Sequence, residues 1–423
     1  MSETLNGIKK RQVIDVVMDR MQSESVILLE GPRSVGKSTV LRELAKAFGV
    51  AQIIDLDNPL TADAVAVDPS SFISETFPIF IDEYQRAPII LKSIKAELNK
   101  NPGAGKFVLA GSTSHDALPV STQALTGRLH RMTILPLSQG EINGTKERFL
   151  ANVLNEDIEA AMGDRKSTTT RENYIERIVK GGFPMALNRS ENARNRWFDD
   201  YVKMTLGRDV QEISIVRRSN LLPNVFNAIA AQTGQILNVQ TLARNTGLDW
   251  KTTQHYISLL ERVFLIHELR AWGKKLNPRN SSSSKVHVLD SGVAARQMHL
   301  TAEKLERKDP TSLTELGHLL ETFIVGELIK QASWMDNIGT IGHWRTWDSN
   351  EVDLIIERDD GAVFAFEVKT ASRVPGNHLI SLRKLRESVG DSFLAGVVLY
   401  LGERSYSVED RLHVVSIDRL WTQ

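Results

Sequence analysis

The stretch "SVILLEGPRSVGKSTVLRELAKAF", Ser25–Phe48, decides the fold of the first third of the chain. An apolar run leads into a glycine-punctuated loop, and the loop opens a segment with apolar residues at helical spacing. Gly31, Gly36, Lys37 and Ser38 match G-x-x-x-x-G-K-[ST]. Between a strand and a helix N-terminus such a loop turns its backbone N–H groups inward and makes an anion nest. Arg33 and Ser34 lie in that loop. Lys37 is placed to reach β- and γ-phosphates, Ser38 to ligate Mg2+, and Thr39 to bond the α-phosphate. The ligand implied is ATP with Mg2+.

The neighbouring runs extend the pattern. "AQIIDLD", "PIFIDE", "KFVLAGS" and "RMTILPL" alternate with helical segments through residues 1–150, the signature of an α/β domain with a parallel sheet. "PIFIDEYQRAP" (Pro78–Pro88) is a strand ending in two acids. Asp82 is the candidate Mg2+ ligand and Glu83 the group that polarises an attacking water. "FVLAGSTS" (Phe107–Ser114) sets Ser112 and Thr113 at another strand end, where a hydroxyl can sense the γ-phosphate.

These pieces resemble AAA+-like P-loop ATPases. Taken with "LTGRLHRMTILPLSQGEI" (Leu125–Ile142) and "KGGFP" (Lys180–Pro184), the order resembles bacterial AAA-type ATPases that carry a C-terminal DUF4143 domain. The resemblance covers nearly the whole chain. It implies that Gly127–Arg128 is the family's recurring "GR" pair. Arg128 would then contact the γ-phosphate in cis or across a subunit interface of a homo-oligomer; a surface ion-pair role is the alternative. Arg208 in "LGRDV" fits a family segment of less clear role.

Composition bounds the remainder. The 423 residues carry 52 Lys plus Arg against 52 Asp plus Glu, so any nucleic-acid contact has to be local. No cysteine is present, which excludes disulfides, thiolate zinc sites and cysteine nucleophiles. The first residues lack an apolar stretch of leader type, and no run is long enough to span a bilayer. A cytoplasmic protein without membrane contact is expected.

Three regions follow the first. Residues 151–219 read as a helical lid or linker, with "KGGFP" as a break. Residues 220–275 read as a winged helix-turn-helix. Asp249 caps its second helix, and Lys251 and Thr252 stand in the first turn, where such helices meet DNA. Lids and protein contacts use the same element. "WGKKLNPRNSSSSK" (Trp272–Lys285) reads as a linker or wing.

Residues 285–423 return to α/β. "EVDLIIE" (Glu351–Glu357) and "AVFAFEVKT" (Ala362–Thr370) are strands, and Glu367 and Lys369 share a face. With Asp353 they form a D…E-x-K set, which can bind Mg2+ or Mn2+ and activate a water. The arrangement resembles the restriction-endonuclease-like, PD-(D/E)xK superfamily. A helix G-x-x-x-E, as in its archaeal Holliday-junction resolvases, matches Gly317 and Glu321. Glu327 falls on the apolar side of that helix and is the alternative helix ligand. "HLISLRKLRES" (His378–Ser388) puts Arg383, Lys384 and Arg386 on one helix, as a DNA-backbone track or a solvated face. His287, on an apolar strand, reads as structural. The combined expectation is an ATPase that couples nucleotide state to binding of DNA, branched DNA included, and to metal-dependent cleavage. The alternative is a switch or oligomeric motor that binds DNA or a protein without cutting.

Overall fold

In the computed structural model, which describes residues 9–50, 52–73, 76–114, 125, 127–214, 219–273 and 283–422, the chain divides into two compact units. The first comprises Met1–Leu137, Met204–Arg217 and Arg262–Phe264; the second comprises Ser138–Lys203, Arg218–Glu261 and Leu265–Gln423.

The first unit is built on five parallel strands: β1 (Val26–Glu30), β2 (Ile54–Asp55), β3 (Ile79–Asp82), β4 (Phe107–Gly111) and β5 (Leu129–Thr133). Their order is β2-β3-β4-β1-β5. Every residue of β1, β3 and β4 is buried, which is why these strands read as unbroken apolar runs rather than alternating ones. β4 lies between β1 and β3, with Val26 opposite Phe107 and Glu30 opposite Gly111. This places the end of the acid-bearing strand and the end of the hydroxyl-bearing strand beside the loop that leaves β1. Gly111 has to be glycine, since a Cβ there would lie 2.6 Å from the Tyr84 ring. The helix Lys37–Ala47 follows the loop and buries Val40, Leu41, Leu44 and Ala45.

The second unit contains two sheets. Helix Leu222–Ala230, strand β6 (Gln235–Ile236), helices Val239–Thr246 and Trp250–Arg262, then strands β7 (Ile266–Leu269) and β8 (Lys285–Val288) follow in chain order. The strands form an antiparallel sheet ordered β6-β8-β7. Most of the expected wing, residues 274–282, lies outside the described residues. A 23-residue helix, Pro310–Ala332, precedes β9 (Ile338–Arg345), β10 (Glu351–Arg358), β11 (Val363–Lys369), β12 (Phe393–Tyr400), β13 (Tyr406–Glu409) and β14 (Leu412–Ser416). These six order as β13-β14-β12-β11-β10-β9. β9, β10 and β11 are antiparallel neighbours, whereas β11, β12 and β14 run parallel.

The two compact units part inside the segment expected as the first domain, residues 1–150. The division falls after Leu137, because the segment beyond it is fastened to the long helix: Gln139 N–H donates to Glu327 at 2.8 Å and Leu150 N–H to Gln331 at 3.0 Å. The long helix is also more than an amphipathic segment. It buries Leu316, Leu319, Leu320, Phe323, Ile324, Val325 and Leu328, so its apolar surface faces several sides.

Candidate functional site

The first site forms where β1, β3 and β4 end. The loop after β1 needs unusual backbone: Gly31 has φ +153°, Ser34 +62° and Gly36 +102°. Lys37 is 4% exposed, and its Nζ donates to the carbonyls of Gly31 (2.9 Å) and Pro32 (2.8 Å). Burial pulls its ammonium down to about 8, against the opposing pull of Glu83 and Asp82. Such an ammonium, held by two carbonyls in a dry loop, is poised for a phosphate that would stabilise its charge.

Asp82 is buried, and its carboxyl is pushed up by burial while the Ser38 hydroxyl hydrogen-bonds to it and opposes the rise. A hydroxyl and a carboxylate so paired suit Mg2+, which is held by few protein oxygens together with substrate phosphates. Glu83 follows in the left-handed region, φ +51°, a conformation costing a non-glycine residue about 1–3 kcal/mol. The Ser112 hydroxyl donates to its carboxylate at 3.2 Å, and Gln85 bridges Glu83 and Ser112. Thr113 is 1% exposed and its hydroxyl has no partner among the described residues, so this buried polar atom suits an incoming oxygen. Lys37, Ser38, Asp82, Glu83, Ser112 and Thr113 therefore belong to one group of strand and loop ends.

Arg33 and Arg128 are placed differently from the other expected residues. Arg33 leaves the loop to pair with Asp209, with Nη2 2.8 Å and Nε 3.0 Å from Oδ1. Asp209 ends a π-helical turn, Thr205–Asp209, so in "LGRDV" it is Asp209 that meets the loop residue Arg33. Arg128 donates to Asn99 at 2.7 Å, just ahead of β5. β5 runs parallel to β1 with Leu129 opposite Val26, so Arg128 lies at the opposite edge of the sheet from the loop. Five residues of strand separate the two levels, roughly 17 Å. A cis contact with a phosphate in the loop is therefore not formed.

The second site lies on the six-stranded sheet. Leu354 faces Phe366 in the antiparallel β10–β11 pair, which brings Asp353 beside Glu367. Val368 N–H donates to Asp353 at 2.9 Å, and Lys369 pairs with Glu367. The long helix supplies Glu321. Glu327, the alternative, faces elsewhere: it pairs with Lys330 at 2.6 Å and accepts from Gln139 N–H.

The residue that sequence reasoning missed is Lys285, on β8. It is 0% exposed, and its Nζ lies 2.7 Å from Glu321, 2.5 Å from Glu351 and 2.9 Å from Asp353. Its only trace in the sequence is a lysine opening the apolar strand "KVHV". Burial works against its charge, yet Asp353, Glu321 and Glu351 prevail and raise it well above its ordinary value. Burial pushes Glu321 well up and Glu367 to about 8, each reinforced by Asp353. Burial would raise Asp353 as well, but Lys285 and Lys369 hold it down.

This arrangement does not fit the expected metal. Among the described residues no group of three or more His, Asp or Glu is placed to hold one as the side chains stand, with Lys285 among Glu321, Glu351 and Asp353. One oxygen points the other way, since Glu367 Oε2 is buried without a partner among the described residues. A single oxygen is not a ligand set. His287 holds its Nδ1 3.2 Å from Thr322 Oγ1, and burial, with the charge of Lys285, favours the neutral ring.

The expected DNA contacts are uneven. Lys251 is exposed, with Trp250 48% exposed beside it, whereas the Thr252 hydroxyl is committed to Asp249 at 2.6 Å. Arg383 and Arg386 both pair with Glu409, at 2.7 and 3.3 Å, and Lys384 pairs with Asp348 at 3.1 Å. That helix is charge-compensated rather than a basic track. No helix among the described residues is long and apolar enough to cross a membrane.

Comparison with known proteins places these features. A family described as an AAA domain matches residues 23–143, and two domains of unknown function, DUF8612 and DUF4143, match residues 171–304 and 316–420. Uncharacterized proteins of Mycobacterium bovis and Mycobacterium tuberculosis are each 24% identical over 418 residues, covering 98% of this chain and 85% of theirs. Among solved structures, the Walker-type ATPase PABY2304 of Pyrococcus abyssi is 14% identical, covering 69% of this chain and 96% of its own, with a TM-score of 0.39. AMPPCP-bound DnaA of Aquifex aeolicus is 16% identical, covering 59% and 86%, with a TM-score of 0.25. The AAA-domain match coincides with the loop and strand ends described above, and the first unit carries an AAA-type ATPase domain.

Proposed function

We propose that the protein is an ATP-hydrolysing switch whose second unit binds DNA without cutting it. The observation that carries the reading is the grouping of Lys37, Ser38, Asp82, Glu83, Ser112 and Thr113 at the ends of β1, β3 and β4. In it the loop N–H groups and Lys37 bind the phosphates, with Arg33 and Ser34 in the loop and Thr39 at the helix start. Ser38 and Asp82 hold Mg2+, which neutralises phosphate charge. Glu83 orients the attacking water, and Ser112 and Thr113 sense the γ-phosphate. Arg128, at the far sheet edge, serves the site of a neighbouring copy in a homo-oligomer.

The DNA half is supported by the helix-strand-helix-helix-strand-strand order and the β6-β8-β7 sheet, which favour reading this region as a winged helix. Trp250 and Lys251 at the start of the exposed helix are its contacts. Cleavage is left out because Lys285 stands among Glu321, Glu351 and Asp353, where a metal would be required.

The test is binding of labelled linear, single-stranded and branched DNA, with and without ATP, in Mg2+ or Mn2+. The expected result is salt-sensitive binding that shifts about fivefold or more with ATP, loses that shift in Lys37→Ala, and leaves the DNA intact. Absence of binding to every DNA would overturn the DNA half. Cleavage that disappears in a Glu367→Ala, Lys369→Ala variant would overturn the non-cutting reading.

A further inference from the structure

The fold spends a lysine on the acidic site of the six-stranded sheet, and the lysine comes from the other sheet of the same unit. An ammonium has three N–H donors. Lys285 has three carboxylate neighbours within 2.9 Å, Glu321 from the long helix and Glu351 and Asp353 from β10. Two donors go to Glu321 and Asp353 at 2.7 and 2.9 Å, distances normal for N+–H···O− bonds, and Glu351 pairs with the same ammonium at 2.5 Å. A fully buried ammonium without such partners would be strongly disfavoured.

The position of Lys285 is fixed from several directions. It pairs with Leu269 on β7 and with Ile236 on β6. Two residues on, His287 reaches Thr322 of the long helix. The chain leaving β7 joins the edge strand β9, with Trp272 N–H donating to His343 at 2.7 Å and His343 N–H to Arg270 at 2.9 Å. The small sheet is thus fastened to the long helix, which supplies Glu321, and to β9, the neighbour of the strand β10 that supplies Glu351 and Asp353.

We infer that the Lys285 ammonium is the resident cation of the Glu321–Glu351–Asp353 site, and that this site takes a divalent metal only when Lys285 is withdrawn or removed. Three oxygens converge on one point and Nζ occupies it. A divalent ion drawing on the same oxygens would need them at about 2.1–2.6 Å from itself. Ion and ammonium would then share one position, with like charges in a dry setting, so they exclude each other. Lys369 does not play this part, because it pairs with Glu367 and is only partly buried. The inference concerns the second unit alone, stands apart from the ATPase reading, and shares with the non-cutting reading the placement of Lys285.

The experiment is Mn2+ binding to the full-length, nucleotide-free protein, read by electron paramagnetic resonance of free Mn2+. Four proteins are compared: wild type, Asp353→Asn, Lys285→Met and the Lys285→Met, Asp353→Asn double variant. Wild type and Asp353→Asn should give the same titration. Lys285→Met should gain one site at least tenfold tighter than any in wild type, and the double variant should lose it. Wild-type Mn2+ binding that Asp353→Asn removes would overturn the inference, and this arm decides even where Lys285→Met fails to fold. A folded Lys285→Met protein that gains no site would overturn it as well.

Discussion

Gly31→Ala is the substitution whose cost the geometry defines most sharply. Gly31 has φ +153°, and a Cβ built on it lies 2.2 Å from the Ile134 carbonyl oxygen. A carbon and a carbonyl oxygen approach to about 3.3 Å at the closest comfortable contact, so the main chain has to yield by about 1.1 Å. Ile134 is not free to supply that movement, because its N–H donates to Glu30 at 2.7 Å. The loop must move instead, carrying the Gly31 carbonyl that accepts from Lys37. The backbone conformation adds about 1–3 kcal/mol for a residue with a Cβ. A displacement of about 1 Å in a positioning element costs on the order of 100-fold in rate. The expected outcome is a melting temperature lower by roughly 2–12 °C and an ATPase kcat/KM about 100-fold below wild type. Thermal unfolding and phosphate-release kinetics measure the two. A variant that melts and hydrolyses ATP like wild type would refute the reasoning.

Three further outcomes follow from charges buried in the fold. Asp209→Ala leaves Arg33 without the carboxylate 2.8 Å away, and stability should drop by about 3 kcal/mol; an unchanged unfolding curve would show the pair to be idle. Glu147 is raised to about 8 by burial, with Glu327 adding to the rise. Its native form therefore holds a proton that the unfolded chain gives up near 4.5, so this group's contribution falls as pH rises from about 4.5 to 8. Melting curves across that window should show a slope that Glu147→Gln reduces, and an identical slope in both proteins would contradict the assignment. Lys37 has the opposite sense for a base: held down at about 8, it binds fewer protons than the unfolded chain up to about 10.4. The nucleotide-free protein should gain stability from this group between those pH values, and Lys37→Met should lose the gain; equal pH profiles for the two would count against it.

The nucleotide site was legible because each piece is local. An apolar run predicts β1, the glycines mark where positive φ is needed, and Asp82 and Glu83 stand at the end of their own strand. What escaped depends on partners far along the chain. Lys285 meets Glu321 and Asp353 across 36 and 68 residues, and no periodicity reports that meeting. Arg33 finds Asp209 across 176 residues. The basic helix looked like a DNA track because Glu409, which pairs with both Arg383 and Arg386, belongs to a later hairpin. Pairing of β10 with β11 was readable from alternation, whereas the choice between Glu321 and Glu327 was not. Both sit on a helix buried on several sides, and only tertiary packing assigns each carboxylate its cation.

The central claim is that the ends of β1, β3 and β4 hydrolyse ATP, and Glu83→Gln tests it most directly. The side chain keeps its shape and can still meet Ser112, but it loses the charge that polarises water. ATP binding and hydrolysis should be measured on the same sample, against wild type. The account predicts that binding persists while the hydrolysis rate falls on the order of 10²–10⁴-fold. Hydrolysis at the wild-type rate in Glu83→Gln, with binding intact, would contradict it.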